Sequence, residues 1–265
     1  MVVFGLDKNR KIGVFDSGLG GLSVLHTLRA MLPNESYIYI GDSKNAPYGT
    51  KTKEDVFKLS KNICDQLVAY DVKAIVIACN TATSAAVTQL RQLYSIPIIG
   101  MEPAIKPALK QSVGPVVVIA TEMTLKEEKF LKLVNHLDDG YRIEKLPAPE
   151  WVECVENHIF NVDYVKSCVD LFLRSHIPNA QNIVLGCTHY IFLKDFIRDY
   201  YGGNIEIFDG NIGTALQLKN TLASQNGLIE DVDRLDTPNI IIYNTKSDEN
   251  VTKSYDMLTA LGKGI

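Results

Sequence analysis

The chain has 265 residues, of which 46% are hydrophobic and 22% charged, and its formal net charge is −4 at pH 7. This composition is that of an ordinary globular protein, and the weak negative charge argues against nucleic-acid binding. No apolar stretch approaches the roughly 20 residues that cross a bilayer, and the first eleven residues lack the apolar region of a signal peptide. We therefore expect a cytoplasmic protein that requires neither nucleic acid nor a membrane.

Short apolar runs, several of them followed by helical patterns, are predicted along the whole chain. The predicted strands are residues 11–15, 37–40, 74–78, 96–100, 115–120, 182–186, 205–208 and 239–243. Patterns with helical spacing occur at residues 18–32, 83–93, 123–135 and 192–200. Strands that alternate with helices predict an α/β fold with mostly parallel sheets flanked by helices.

Two similar stretches place a cysteine directly after a predicted strand. They are VIACNTA at residues 76–82 and VLGCTHY at residues 184–190. Their repetition predicts two similar α/β domains, each contributing one thiol from the carboxyl end of a central strand. Because ligands of open α/β sheets bind at that edge, we expect a cleft between the domains with a thiol on each wall.

Two opposed thiols favour a particular chemistry. A thiolate is a base and a thiol is a modest acid, so one cysteine can remove a proton from a carbon while the other delivers a proton to its opposite face. This inverts a stereocentre. A threonine follows each cysteine closely at a predicted helix start, where backbone N–H groups favour a thiolate, and His189 is placed to stabilise charge near Cys187.

No cofactor or metal site is predicted. The sequence DSGLGG at residues 16–21 opens backbone N–H groups to an anion at a helix start, but Leu19 stands where a P-loop needs lysine. Asp16 taken alone would be a helix cap. Cys154 and His158 can share a helix face without further ligands nearby. The remaining thiols, Cys64, Cys154 and Cys168, are expected to be ordinary ones.

The chain resembles the glutamate racemases of the aspartate/glutamate racemase superfamily, which interconvert L- and D-glutamate without a cofactor and supply D-glutamate for peptidoglycan synthesis. The resemblance covers most of the chain. It rests on GVFDSGLGGLSVL at 13–25, YIGDSKNAPYGTKT at 39–52, VIACNTATSAA at 76–86, IPIIGMEPAIKPA at 96–108 and VLGCTHYIFL at 184–193.

The resemblance implies roles for individual residues. Cys79 and Cys187 would be the two acid/base thiols, Cys79 acting on D-glutamate and Cys187 on L-glutamate, with Asp16 and His189 assisting proton transfer. The residues implied to bind substrate are Asp16, Ser17, Tyr48, Gly49, Asn80, Thr81, Thr188 and His189. The family's glutamate falls in the loosely matching stretch 146–156, most naturally on Glu156, with Glu153 as a rival.

The resemblance also implies an organisation for the chain. The first domain would comprise residues 11–101 and 209–265, the second residues 102–208, and residues 1–10 would be an N-terminal extension. The family commonly forms homodimers, which we expect here.

Three alternatives remain open at this point. An aspartate or hydantoin racemase is the nearest, although Asp16, Ser17 and the PYGTKT loop favour glutamate. A cysteine amidohydrolase that uses Cys187 and His189 would leave Cys79 unexplained. A two-lobed binding protein without catalytic activity would leave both thiols unexplained.

Overall fold

The computed structural model describes residues 6–112, 114–137, 142–230 and 239–262. The strands within these residues are β1 Ile12–Asp16, β2 Tyr37–Gly41, β3 Ala74–Ile77, β4 Ile98–Gly100, β5 Val116–Ala120, β6 Ile143–Pro147, β7 Asn182–Gly186, β8 Glu206–Asp209 and β9 Ile240–Asn244. The helices of the first half are α1 Leu22–Met31, α2 Lys53–Ala69, α3 Asn80–Leu93, α4 Ile105–Gln111, α5 Glu122–Lys126 and α6 Glu128–Leu137. Those of the second half are α7 Pro149–His158, α8 Val162–His176, α9 Lys194–Tyr200, α10 Asn211–Ser224 and α11 Asp248–Leu261. Tyr48–Thr50 and His189–Leu193 form 3₁₀ turns. In the described ranges, no helix combines the length and the apolar character that spanning a membrane requires.

The strands form two parallel sheets, which confirms the predicted fold class. The first sheet has the order β4-β3-β1-β2-β9 and the second β6-β5-β7-β8. All neighbours in both sheets run parallel. Strand β9, near the end of the chain, pairs with β2 of the first sheet. The domain boundaries expected at residues 101/102 and 208/209 stay a prediction.

The central strands follow from their composition. Strands β1, β5 and β7 have the sequences IGVFD, VVVIA and NIVLG, and every residue in them is buried. Strands covered on both faces by helices need such continuous apolar runs, and β-branched residues pack well there. These apolar runs therefore form the central strands of the two sheets. The DSGLGG stretch and the two cysteine-containing stretches lie at the carboxyl ends of β1, β3 and β7.

Two features between β5 and α7 differ from the sequence-based expectation. Strand β6 was not predicted, because its sequence IEKLP lies at a sheet edge and exposes Glu144 and Lys145. The predicted helix 123–135 is instead two helices, α5 and α6. Glu127, between them, has extended backbone with ψ of 137° and so interrupts the helix.

A buried ion pair joins the segments before β2 and β3 at the amino edge of the first sheet. The Lys73 ammonium lies 2.6 Å from Glu35 Oε2, and both side chains are almost completely buried. Lys73 Nζ also donates hydrogen bonds of 2.8 Å to the carbonyl oxygens of Lys8 and Gly227. The Glu35 carboxylate and the two carbonyl oxygens together place three oxygen atoms around the three N–H donors of the ammonium. Lys73 thus connects three chain segments at the amino edge of the sheet.

Replacing Lys73 with alanine should lower the free energy of unfolding by about 3 kcal/mol, because Glu35 would remain buried without its cation. Urea unfolding followed by circular dichroism measures this loss. The matched control is Lys61→Ala, which removes an ion pair of 2.7 Å with Asp65 whose side chains are 44% and 50% exposed. Such a surface pair contributes about 0.5 kcal/mol or less. Equal losses in the two variants would contradict the structural role of Lys73.

Candidate active site

The first predicted thiol, Cys79, lies just after β3 and caps the start of α3. Its Sγ accepts a hydrogen bond of 3.3 Å from the backbone N–H of Ala82. The thiol itself donates to Ser17 Oγ at 3.5 Å, and Cys79 is only 5% exposed. The sulfur therefore sits at the carboxyl edge of the first sheet, next to the loop that follows β1.

The second predicted thiol, Cys187, directly follows β7 in the second sheet and is 7% exposed. Its Sγ lies 3.7 Å from Nδ1 of His189. The chain then forms the 3₁₀ turn His189–Leu193 before α9 begins at Lys194. The expectation of a helix start at both cysteines thus holds for an α-helix only at Cys79.

Asp16 connects the two thiol-bearing segments. Its side chain is fully buried at the end of β1. One carboxylate oxygen, Oδ2, accepts the backbone N–H of Gly18 at 3.0 Å, and the other, Oδ1, accepts the Thr188 hydroxyl at 3.1 Å. Because Thr188 follows Cys187, this hydrogen bond ties the loop after β1 in the first sheet to the segment after β7 in the second.

The glycines of the loop after β1 permit this close approach. A Cβ atom at Gly18 would stand 2.0 Å from Glu156 Oε1, and one at Gly20 would stand 2.6 Å from the backbone nitrogen of His189. Neither distance leaves room for a side chain. We conclude that the DSGLGG stretch is required here for contact between chain segments, in addition to any anion that its N–H groups can bind.

The structure places Glu156, and not Glu153, in this site. Glu156 Oε1 lies 2.7 Å from His189 Nε2 and accepts the backbone N–H of Leu19 at 2.6 Å. Its other oxygen accepts the Ser43 hydroxyl at 3.2 Å. Glu153 on the same helix is exposed. The chain pattern alone left both residues open, because both lie on α7 and only the packing of that helix separates them.

Asn80, at the start of α3, is 2% exposed, and neither polar atom of its amide has a hydrogen-bond partner among the described residues. A buried polar group without a partner destabilises a protein by about 1–3 kcal/mol. The amide is therefore available to a polar ligand. In the same described ranges, no three His, Cys, Asp or Glu side chains are grouped as a metal ion would need.

Thr81 belongs to a cluster of hydroxyl groups that the sequence did not predict. Its Oγ1 lies 2.9 Å from that of Thr121 and 3.5 Å from that of Thr124. The latter two hydroxyls are 3.0 Å apart. Thr121 follows the end of β5, as the two cysteines follow the ends of their own strands. This shared position at a strand end could have identified Thr121 as a site residue from the sequence.

The PYG loop closes one side of the site. Tyr48 is buried and donates a hydrogen bond of 2.6 Å to Asp42 Oδ2. A Cβ atom at Gly49 would stand 2.9 Å from that of Thr121, so the loop also packs tightly against the second sheet's segment. Asp42 was not predicted, although it follows β2 at the same sheet edge.

The charges of the site differ from the expectation of an activated Cys79. Burial and the neighbouring Asp16 carboxylate raise the pKa of the Cys79 thiol to about 12, and the N–H of Ala82 offsets only part of this. Burial lowers the pKa of His189, but hydrogen bonds to Cys187 and Glu156 outweigh it and hold that pKa well above its ordinary value of 6.5. The site therefore contains a protonated thiol and an imidazolium.

Comparison with known proteins decides the family. The family model described as Asp/Glu/Hydantoin racemase matches residues 12–216. The chain belongs to the Asp/Glu/Hydantoin racemase family. A glutamate racemase of Clostridium perfringens is 46% identical over 247 residues, which cover 92% of this chain and 94% of the relative. The resemblance expected from the motifs is thereby confirmed.

Solved structures of glutamate racemases have a fold similar to that of this chain. Glutamate racemase isoform RacE1 from Bacillus anthracis is 30% identical, with a TM-score of 0.81 over 97% of this chain and 95% of that chain. Escherichia coli glutamate racemase, solved in complex with L-glutamate and the activator UDP-MurNAc-ala, is 26% identical. Its TM-score is 0.82 over 94% of this chain and 95% of that chain.

Replacing Glu156 with glutamine should lower the pKa of His189, because the imidazolium loses its anionic partner. In the unchanged protein, the ¹⁵N chemical shifts of the His189 ring should stay those of an imidazolium between about pH 6 and pH 8. In Glu156→Gln the ring should titrate or be neutral in that range. The exposed Glu153→Gln on the same helix is the control and should match the unchanged protein. Identical curves in all three would show that Glu156 does not hold the charge of His189.

Proposed function

We propose that this protein is a glutamate racemase that moves the α-proton of glutamate between two cysteines without a cofactor. The observation that carries the proposal is the matched pair of buried thiols, Cys79 and Cys187, each at the carboxyl end of a central parallel strand. Cys79 contacts the loop of residues 16–21 through Ser17, and Thr188, next to Cys187, contacts the same loop through Asp16. The sequence identity to glutamate racemases supports glutamate as the substrate.

The proposed reaction uses the two sulfur atoms on opposite faces of the α-carbon. Starting from L-glutamate, the Cys187 thiolate removes the α-proton, and the remaining electron pair is delocalised into the α-carboxylate. The Cys79 thiol then delivers its proton to the other face, which gives D-glutamate. In the reverse direction the two cysteines exchange roles, so the same residue type serves as acid and base.

The charges of the site support this assignment. Cys79, with its raised pKa, carries a proton at neutral pH and is ready to act as the acid on the path from L-glutamate. The His189 imidazolium, beside Cys187, can donate a hydrogen bond to that sulfur. On the path from D-glutamate, Cys79 must lose its proton. The nearby Asp16 is a suitable acceptor, because burial raises the pKa of its carboxyl group.

Donors for the substrate carboxylates line the same edges. The unpartnered amide of Asn80 is the strongest support, because a ligand carboxylate would satisfy its N–H₂ donors. We assign the hydroxyls of Ser17, Thr81 and Thr188 to the same task. Tyr48 and Gly49 belong to the loop that closes the site over the substrate.

The resemblance to glutamate racemases extends the proposal to the cell. The product D-glutamate would supply peptidoglycan synthesis in the cytoplasm, and the enzyme would act as a homodimer. The two domains would comprise residues 11–101 with 209–265, and residues 102–208.

Single enantiomers of glutamate, incubated with the protein in heavy water, test the function directly. We expect each enantiomer to give the other, with solvent deuterium in the product and little in the remaining substrate during the first turnovers, because two bases act on opposite faces. Chiral chromatography coupled to mass spectrometry measures both quantities. Turnover of aspartate without turnover of glutamate would assign the chain to a different racemase. Ammonia release would indicate an amidohydrolase.

Alanine at Cys79 or at Cys187 should each reduce racemisation by at least about 10³-fold, because each change removes the proton transfer on one face. Serine is a far weaker base, so Cys79→Ser should most directly impair proton abstraction from D-glutamate, and Cys187→Ser that from L-glutamate. Deuterium wash-in from each enantiomer measures the two steps separately. The buried thiol of Cys64 on α2 provides the control. If Cys64→Ser reduced racemisation as much as Cys79→Ser, the assignment of the bases would be wrong.

A further inference from the structure

Helices α7 and α8 pack against each other in antiparallel fashion outside the sequence motifs. Near the start of α7, the ring of Trp151 lies 4.6 Å, centroid to centroid, from that of Phe172 near the end of α8. At the end of α7, the ring of His158 lies 4.1 Å from that of Tyr164, near the start of α8. These two contacts fix the register of the pair at both ends.

The middle of this register holds two thiols. Cys154 lies between Trp151 and His158 at helical spacing, so it shares their face of α7. Cys168 lies between Tyr164 and Phe172 and likewise shares their face of α8. The two cysteines therefore face each other midway along the helix pair, where Cys154 is buried in the hydrophobic core and Cys168 packs against that core. Aromatic contacts one turn away on each side hold them in this position.

The two thiols are not equivalent. Cys154 is 1% exposed, whereas Cys168 is partly exposed and therefore accessible to small solutes. The neighbouring Cys154 thiol lowers the pKa of Cys168, whereas the Cys168 thiol and burial raise the pKa of Cys154. An accessible thiol of lowered pKa next to a buried thiol is the arrangement of an oxidisable cysteine with its resolving partner.

Helix α7 also connects this pair to the catalytic site. Cys154 and Glu156 are two positions apart, which on a helix turns their side chains about 200° from each other. Cys154 therefore faces α8, while Glu156 faces the site and contacts His189 and the backbone of Leu19. A movement of α7 toward α8 draws the Glu156 carboxylate away from these partners.

We propose that Cys154 and Cys168 form a reversible disulfide, with hydrogen peroxide as the oxidant, which pulls α7 toward α8 and lowers the activity of the racemase site. The bond brings the two sulfurs to about 2.05 Å from each other. The effect on activity rests on the proposed racemase function, whereas the formation of the disulfide does not.

The chemistry balances with peroxide alone. The Cys168 thiolate attacks one peroxide oxygen and breaks the O–O bond, which gives a sulfenic acid and hydroxide. The Cys154 sulfur then attacks the Cys168 sulfur, forms the S–S bond and displaces the sulfenic oxygen as water. The protons of the two thiols convert both oxygens to water. Two thiols are oxidised, and one peroxide accepts two electrons.

Mass spectrometry of the wild-type protein tests the disulfide independently of activity. After treatment with hydrogen peroxide, alkylation under denaturing conditions and proteolysis, we expect a cross-linked peptide pair that contains Cys154 and Cys168, and its loss after dithiothreitol. Cys64, fully buried with its pKa raised to about 12, should remain an alkylatable thiol and serves as the control. Recovery of Cys154 and Cys168 as separately alkylated thiols, or as a sulfinic acid on Cys168, would overturn the proposal.

Activity measurements test the connection to Glu156. Saturating glutamate is present during oxidation to shield Cys79 and Cys187 from peroxide. The variants Cys168→Ser and Cys168→Ala cannot form the disulfide, so any activity that they lose reports damage to Cys79 or Cys187. Peroxide should lower kcat of the wild type by at least about threefold, reversibly with dithiothreitol, and leave either variant unchanged. Equal losses in the wild type and both variants would overturn the connection. If the untreated protein had no racemase activity, the proposed function would fail, and the cross-linked peptide would still decide the disulfide.

Discussion

The candidate active site depends on the close approach of one glycine-containing loop to a second chain segment. The loop after β1 passes so near Glu156 and His189 that Gly18 and Gly20 cannot carry a side chain. This contact brings the edges of the two sheets together, because the loop also carries Asp16, which accepts the Thr188 hydroxyl. The contact made by this loop therefore places both thiols in one site. A larger residue at Gly18 would displace the Glu156 carboxylate, and one at Gly20 would displace the Thr188 hydroxyl and the backbone of His189.

The groups gathered by this approach form one electrostatic unit. Asp16, Glu156 and His189 are each less than a tenth exposed, and buried charges persist only where hydrogen bonds and opposite charges compensate them. Glu156 and the imidazolium of His189 compensate each other, and Asp16 is held by a backbone N–H and a hydroxyl. The result is an asymmetric pair of thiols. Cys79 lies beside a carboxylate and Cys187 beside a cation, although the sequence around the two cysteines looks alike.

Helix α7 has a different task on each of its faces. One face packs on α8 through aromatic rings and thiols, and the opposite face supplies Glu156 to the site. Because a helix moves nearly as a rigid body, a displacement of the face that packs on α8 also displaces Glu156 on the opposite face. The sequence offered no indication of this connection, since the stretch 146–156 carries no strong motif. Only the register of α7 against α8 reveals that Cys154 and Cys168 face each other.

The sequence by itself determined the fold class, the central strands, and the placement of both thiols at strand ends, because continuous apolar runs and strand-end polar residues are local properties of the chain. Only the tertiary structure decided between Glu156 and Glu153, added Thr121 to the site, and included the charged edge strand β6. The tertiary structure also raised the pKa of Cys79, because burial of the thiol outweighs the effect of the backbone N–H group at the start of α3. These features arise from contacts between residues far apart in the chain and from the exclusion of water, which no local pattern encodes.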